Sequence, residues 1–295
     1  MIQRTKGEKI FSVCNYIILT LVCFTMLYPL LYTFSISVST KYAADMPGFH
    51  ILPTWGQTTL DPFKLLFKNQ EIWRAYGMTL ARTVVGTVLS VFVTIFYGYA
   101  LSRPKLIWKK FFTTYLIITM MFNGGQIPTY LNIRSLGLID NFWVYVLPML
   151  IGAYNVVVAR SFFMGISESL NESAKIDGAG EFRTFFQIIM PLSKAIIMTL
   201  ALWIAVNHWN MWMDSLLYIN DNKKIVVQLY LQRIINEGAT NKVTDLGASE
   251  DTARNITTDT VKSAAIMVTV IPILCFYPFV QKYFIKGVTL GAVKG

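Results

Sequence analysis

The chain has 295 residues, of which 54% are hydrophobic and only 14% are charged. This composition, with a mean hydropathy of +0.49, excludes an ordinary soluble core with a polar shell and favours the lipid bilayer as the solvent. The formal net charge of +10 would suit nucleic acid, but most of it lies where membrane topology alone would place it. No nucleic-acid partner is therefore expected.

Long stretches without Asp, Glu, Lys or Arg approach the length of about 20 helical residues that crosses a hydrocarbon core. The six stretches are Ile10 to Thr40, Thr83 to Ser102, Phe111 to Ile133, Asn141 to Ala159, Ala195 to Met213 and Ser263 to Gln281. Because backbone groups cannot stay unpaired in lipid, the sequence predicts an all-α polytopic membrane protein with six transmembrane helices. The third is interrupted by Asn123, Gly124 and Pro128, so its span is predicted to end near Phe122.

The positions of Lys and Arg predict the orientation of these helices. Basic residues cluster before helix one, between helices two and three, between helices four and five, and at the end of the chain. Both termini are therefore predicted to be cytoplasmic. Residues 1–9 form the cytoplasmic N-terminus and residues 10–295 one membrane domain, which includes a cytoplasmic connection at 162–191 and an external loop at 220–260.

The cytoplasmic connection at 162–191 is too long for a simple turn. Ser169 followed by Glu172 matches a capping box, and Gly178 is a natural helix stop. These signals predict a short helix over Leu170 to Asp177.

A second amphipathic helix is predicted from Gly180 to Met190, with Pro191 as its stop. One face of it would carry Phe182, Phe185, Phe186 and Ile189. Two short helices at a sharp angle would then project from the membrane.

This connection resembles the EAA loop of binding-protein-dependent ABC permeases. The residues that carry the match are Glu172, Ser173, Ala174, Gly178, Ile188, Met190 and Pro191. Ser173 and Met190 stand where that motif usually has Ala and Leu. The string from Glu172 through Asp177 to Gly180 is similar to the carbohydrate-importer branch, the maltose-type permeases. The stretches that begin at Asn123 and Ser135 and the closing Gly-Val-Thr-Leu-Gly-Ala-Val-Lys-Gly resemble the same branch.

The resemblance implies the type I ABC importer permease fold and a coupling helix that docks on a separate ATPase. The coupling residues would be Glu172, Ser173, Ala174, Asp177, Gly178, Ile188 and Pro191, with Ala174 and Gly178 allowing close approach of a partner backbone. The implied partners are a second, related permease subunit, two ATP-binding subunits and an extracytoplasmic substrate-binding protein. The alternative is a merely amphipathic loop at the membrane surface.

The chain contains no Gly-x-x-x-x-Gly-Lys-Ser/Thr sequence and no recognisable catalytic motif. We therefore expect a non-catalytic subunit with no cofactor of its own, ATP and Mg being bound by the partner ATPase.

Polar and aromatic residues are concentrated near the end of helix five, where lipid-facing helices would carry Leu and Ile. They are Asn207, His208, Trp209, Asn210, Trp212 and Asp214. Amides, carboxylates and aromatic faces bind sugars, so Asn207, Trp209, Asn210, Trp212 and Asp214 are candidates for a substrate pathway. An interfacial aromatic belt with polar helix contacts is the alternative. A lone His208 is interpreted as a packing residue, since the sequence offers no second metal ligand at suitable spacing.

The substrate class follows only from the resemblance, which implies a saccharide, including acidic ones such as alginate. Cationic residues that could serve an acidic polymer are Arg82, Arg134, Arg233 and Lys262, although ordinary surface charge explains them equally well. Two alternatives remain open: an ABC permease for a peptide or amino acid, and a membrane enzyme or proton-coupled carrier. The uncharged spans count against the second. The external loop at 220–260 could contact the binding protein or be a mobile connector.

Overall fold

The structure of the protein is a computed structural model that describes residues 5–236 and 256–292. Every regular element in these two ranges is helical, apart from one isolated antiparallel bridge between Ser39 and Thr58. The all-α prediction is therefore confirmed. The chain divides into two compact units: residues 1–72 with 231–271, and residues 73–230 with 272–295.

The first unit begins with the long apolar helix α1, Lys6–Ser37. A capping box starts it: the Thr5 N–H donates to Glu8 Oε2 at 2.8 Å, and the Glu8 N–H donates to Thr5 Oγ1 at 3.3 Å. In the most apolar 18-residue window of α1, 0% of the residues are buried. This helix therefore presents an apolar surface to lipid or to another subunit.

Two short helices follow in the first unit, α2 (Lys41–Ala44) and α3 (Asp61–Lys68). The segment between them folds back on the end of α1, because the Thr59 N–H donates to the Val38 carbonyl oxygen at 2.8 Å. The connection after the first span is therefore a folded segment and not an open loop.

Most of the remaining helices lie in the second unit, while α4, α13 and α14 extend across the boundary between the units. They are α4 (Gln70–Ser102), α5 (Lys109–Met121), α6 (Gln126–Ser135), two 3₁₀ turns (Phe142–Tyr145 and Leu147–Met149), α7 (Ala153–Met164), α8 (Glu168–Ile176), α9 (Glu181–Thr184), a π-helical turn (Phe185–Ile189), α10 (Met190–Leu192), α11 (Lys194–Asn210), α12 (Met213–Tyr218), a 3₁₀ turn (Asn222–Lys224), α13 (Val227–Asn236) and α14 (Thr258–Ala292).

Three helical segments in the described ranges are long and apolar enough to cross a membrane: α1, α4 and the part of α14 over Thr258–Cys275. Two bent pairs raise the number to as many as five. The two 3₁₀ turns with α7 bend by 49°, and Glu181–Leu192 with α11 bends by 80°. The described residues therefore do not confirm the predicted count of six.

The third predicted span explains this difference. Helix α5 has 13 residues, which gives about 20 Å of helix against a hydrocarbon core of about 30 Å. It ends at Met121, so the predicted end near Phe122 is confirmed. The chain then breaks at Gly125, whose φ of +86° suits glycine, and resumes as α6.

The core of the second unit joins the membrane helices to the connection at 162–191. It contains Ile95, Tyr99, Ala159, Phe163, Phe185, Ile189, Ile196, Leu200 and Ile204, from α4, α7, the π-helical turn and α11. Gly98 brings α4 close to α7, since a Cβ there would lie 2.7 Å from the Ala159 Cβ. Small residues allow this kind of close helix approach in membranes.

Candidate coupling loop and translocation path

Helix α8 is the first helix of the connection at 162–191, and it begins two residues earlier than predicted. Its N-cap is Ser167, whose hydroxyl is hydrogen-bonded to the Ser169 hydroxyl at 2.8 Å instead of capping the helix. The predicted capping box between Ser169 and Glu172 is therefore wrong. Both residues lie inside α8, so Ser169 is not at the position from which a side chain caps the helix.

The end of α8 agrees with the prediction. Gly178 has a φ of +77°; its N–H donates to the Lys175 carbonyl at 3.0 Å, and the Ala179 N–H donates to the Ala174 carbonyl at 2.8 Å. This pair of bonds is a Schellman motif, which satisfies the last carbonyl groups of a helix. Gly178 is therefore the stop signal of α8.

The exposed surface of α8 presents mostly polar groups of the predicted coupling set. Glu172, Ser173 and Asp177 are exposed, and a Cβ at Gly178 would meet no atom within 4 Å. Ala174 differs, because it is only 3% exposed. Its methyl group is covered by this chain, so of the two small residues only Gly178 offers open space to a partner backbone.

An apolar side chain that the sequence analysis did not single out lies on the same helix. Ile176 is 87% exposed. An aliphatic side chain that is this exposed at the end of a helix is suited to filling an apolar pocket on a partner. The sequence signal that could have identified Ile176 is its position next to Asp177 and Gly178, outside any apolar periodicity.

The predicted helix from Gly180 to Met190 is instead built from α9, the π-helical turn and α10. In the π-helical turn the Met190 N–H donates to the Phe185 carbonyl. Pro191 lies inside α10, which ends one residue later at Leu192. Pro191 is therefore not the stop itself, and the chain turns toward α11 directly after it.

The apolar residues of this segment differ in how far they are buried. Phe185 and Ile189 are buried, while Phe182 and Phe186 are exposed. The predicted apolar face is therefore only partly buried, although Phe182 and Phe185 both contact Phe96 on α4, with ring centroids 6.2 Å and 5.7 Å from it.

Tyr99 on α4 contacts both halves of the candidate coupling loop, residues 162–191. Its hydroxyl donates to Asn171 Oδ1 on α8 at 3.4 Å. Its ring centroid lies 4.9 Å from that of Phe185 and 5.7 Å from that of Phe163. The guanidinium of Arg103 lies over the Tyr99 ring, 5.5 Å from its centroid. Tyr99 therefore connects α8 to the end of α4.

Glu181 adds an ionic contact to the same region. Its carboxylate lies 2.8 Å from Lys175 Nζ on α8 and 3.9 Å from Arg103 Nη2 beyond the end of α4. A cavity of about 430 Å³ opens beside these charges. Because Glu181 and Lys175 are half exposed, each pair contributes at most about 1 kcal/mol, and the aromatic contacts dominate the attachment of the loop.

Some of the predicted pathway residues are exposed, and others are engaged in contacts within the chain. Asn207 and Asn210 are exposed near the end of α11, and Trp212 is half-buried in the break that follows. Trp209 is buried, with its ring centroid 6.4 Å from that of Tyr76. Three of the five residues therefore present surface that a solute could contact.

Asp214, the fifth predicted pathway residue, is engaged in an ion pair. Arg82 Nη2 lies 2.5 Å from Asp214 Oδ2, and Nη1 lies 3.2 Å from Oδ1. The Arg82 side chain is 0% exposed and lies over the Tyr145 ring, 4.6 Å from its centroid. Asp214 is therefore a structural anion, and Arg82 has no surface with which to meet an acidic polymer.

The sequence held a signal for this pair. Arg82 directly precedes the uncharged stretch that begins at Thr83, and Asp214 directly follows the one that ends at Met213. The second and fifth predicted spans would run in opposite directions, so the start of the second and the end of the fifth would lie on the same side of the membrane. Opposite charges at one depth are expected to pair, because an isolated charge there is costly.

His208 is buried against α4. It is 3% exposed, and a Cβ on Gly86 would lie 2.5 Å from its Nε2. In the described ranges, no three His, Cys, Asp or Glu side chains form a group that could hold a metal ion. The interpretation of His208 as a packing residue agrees with these contacts.

Comparison with known proteins identifies the class of transporter. Residues 1–290 match the family described as binding-protein-dependent transport system inner membrane component. The chain belongs to this family. The permease is 38% identical to Protein LplC of Bacillus subtilis (strain 168), covering 99% of this chain and 98% of LplC. The resemblance to ABC importer permeases inferred from the EAA loop is thus confirmed along the whole chain.

Two further relatives of the permease are described by the substrates that they transport. One is the polygalacturonan/rhamnogalacturonan transport system permease protein YtcP of Bacillus subtilis (strain 168), 35% identical over 98% of this chain and 99% of YtcP. The other is the crystal structure of a bacterial ABC transporter involved in the import of the acidic polysaccharide alginate. It has a TM-score of 0.83 and 30% identity, and the match covers 96% of this chain and 100% of that chain. The importer permease fold is therefore shown, and the protein is a membrane component.

Proposed function

We propose that this permease forms one half of the translocation pathway of an ABC importer for an acidic oligosaccharide. The observation that carries the proposal is the exposure of Asn207 and Asn210, one turn apart on a mainly apolar helix, beside the half-buried Trp212. Amides that donate and accept hydrogen bonds next to an aromatic face match the alternating polar and C–H surfaces of a sugar.

The acidic character of the substrate is supported by the relatives. YtcP is named for polygalacturonan and rhamnogalacturonan, and the similar solved transporter for alginate. Neither name refers to a peptide or an amino acid, so that alternative is not proposed. Because Arg82 is buried and paired, an exposed cation such as Arg134 is the better candidate for contact with a substrate carboxylate.

The proposal includes the partners that the permease needs. A second, related permease subunit would supply the other half of the pathway, and the apolar, unburied α1 is one surface such a subunit could cover. Two ATP-binding subunits would bind ATP and Mg and dock on α8, and a substrate-binding protein would deliver the oligosaccharide. The permease itself is then non-catalytic.

The orientation is proposed from charge alone. Basic residues flank α8 and precede α1, so both termini and the coupling loop would be cytoplasmic. The ends of α11 and α12 would then face outward, near the external loop at 220–260. Its described part contains helix α13, and residues 237–255 lie outside the described ranges.

Uptake by the complete reconstituted importer tests the proposed pathway. We expect Asn210→Ala and Trp212→Ala each to lower uptake of labelled alginate or polygalacturonate fragments about five- to tenfold, because each loses one ligand contact worth about 1 kcal/mol. Assembly with the ATPase should be unchanged. Ser161→Ala is the matched control, since this exposed hydroxyl bonds within its own helix. Full uptake by both pathway variants would favour the aromatic-belt interpretation instead.

A further inference from the structure

One side chain from α4 binds both sides of the break between α11 and α12. Arg82 Nη1 donates to the Met211 carbonyl oxygen at 3.0 Å, and the same guanidinium forms the ion pair with Asp214. Met211 is the C-cap residue of α11, and Asp214 is in the first turn of α12. One planar group therefore binds both sides of the break, which a guanidinium can do because its donors form a fixed fork.

One local bond caps the start of α12, because the Ser215 N–H donates to Asp214 Oδ1 at 2.8 Å. Met211 has an extended backbone (φ −74°, ψ 129°), and Trp212, the N-cap residue of α12, makes no side-chain capping bond. Carbonyl groups at the end of a helix and N–H groups at the start of the next need partners inside a membrane. For the Met211 carbonyl oxygen, Arg82 supplies such a partner from a different helix.

The surroundings of Arg82 are fixed by further hydrogen bonds. The Tyr145 hydroxyl, whose ring lies under the guanidinium, bonds Ser215 Oγ at 2.8 Å and donates to the Lys224 carbonyl at 2.9 Å. Thr79, one turn before Arg82, accepts a bond from the Val227 N–H at 2.9 Å. The Arg82 fork is thus embedded in a network that joins α4 to α12 and to the start of α13.

We infer that Arg82 is a positioning residue for the substrate pathway. By fixing the break, it sets where Asn210 and Trp212 stand, on either side of the residue whose carbonyl it binds. It does so without contacting the solute, because its side chain has no exposed surface. The inference rests on the proposed function in that it assigns Asn210 and Trp212 to the pathway.

Thiol labelling of a cysteine placed at Asn210 tests the inference in the assembled complex, after replacement of the three native cysteines. The test variants are the neutral pair Arg82→Gln with Asp214→Asn, which leaves no unpaired buried charge, and Arg82→Lys, which keeps the charge but loses the fork. We expect the labelling rate with a water-soluble maleimide to change about threefold or more, which corresponds to about 0.7 kcal/mol. A cysteine at Ser169 should label at an unchanged rate.

Unchanged labelling at position 210 in the variants that assemble would overturn the inference, and Arg82→Lys carries the test if the neutral pair does not assemble. Altered labelling at both 210 and 169 would also overturn it, since it would show a general loss of structure. Uptake by Asn210→Ala and Trp212→Ala is measured separately. Normal uptake by those variants would refute the proposed pathway, while the labelling result would still decide the role of Arg82 at the break.

Discussion

Substitution of Gly178 separates the two roles that this residue has in the coupling loop. It ends α8 with a left-handed backbone, and it leaves open space beside the exposed face of the helix. Gly178→Asn tolerates the left-handed conformation, Gly178→Ala adds mainly backbone strain, and Gly178→Leu adds strain and bulk. Along this series the backbone conformation is strained first, and the open space is filled by a bulky side chain only in Gly178→Leu.

The magnitude follows from the local geometry. No atom lies within 4 Å of a Cβ at this position, so within this chain the cost comes from the φ of +77° and amounts to about 1–2 kcal/mol for a non-glycine residue. That energy reduces the population of correctly terminated α8 about 5- to 30-fold relative to its alternatives. Bulk adds a further cost only where a partner backbone approaches.

Substrate-stimulated ATP hydrolysis and copurification of the ATPase in the reconstituted complex measure both effects. We expect Gly178→Asn to retain most of the stimulation, Gly178→Ala to lose part of it, and Gly178→Leu to abolish transport. The membrane insertion of all three should be normal, because the position lies outside the spans. Normal stimulation and normal subunit stoichiometry in Gly178→Leu would refute the reasoning that this loop docks on the ATPase.

Three other measurements test separate parts of the account. Glu172→Lys should weaken ATPase attachment or its stimulation by loaded binding protein. Because Glu172 forms no capping box, the expected cause is the loss of an intersubunit contact alone. Unchanged values in both assays would argue against that contact. Cysteines at Lys6 and Lys286 should not react with an impermeant reagent in intact cells, and strong labelling of either would reverse the proposed orientation. The N–H groups of residues 221 and 220 donate to the Asp140 carboxylate and hold its pKa below the usual value of 3.8. These hydrogen bonds therefore stabilise the loop above that pH. The stabilisation is lost as the pH falls through the lower pKa of the folded state. Hydrogen exchange of 220–221 should therefore be faster in Asp140→Asn than in wild type at neutral pH and similar in both under strong acid; an undiminished difference in acid would contradict the assignment.

Several features could be predicted from the sequence because their physics is local. Long uncharged stretches become helices in lipid, where each backbone group must find its partner within the segment. Gly178 ends α8 because glycine adopts the left-handed conformation without steric cost. The break near Phe122 follows from adjacent glycine and proline residues, which disfavour a continuous helix. The EAA loop could be recognised because its residues are contiguous in the chain.

Other features were decided by the tertiary structure. Thr5-x-x-Glu8 and Ser169-x-x-Glu172 share the same capping pattern, yet only the first forms a capping box, because α8 begins before Ser169. Phe185 is buried among residues of α4, α7 and α11 while Phe182 stays exposed, and contacts between distant parts of the chain set this difference.

The pairing of Arg82 with Asp214 joins residues 132 positions apart, and no local pattern specifies it. Each residue read alone suggested a role toward substrate. In the folded chain, the cost of an unpaired charge away from water brings the two together. The uncharged amides and the indole beside this pair are what the proposed pathway retains near the break.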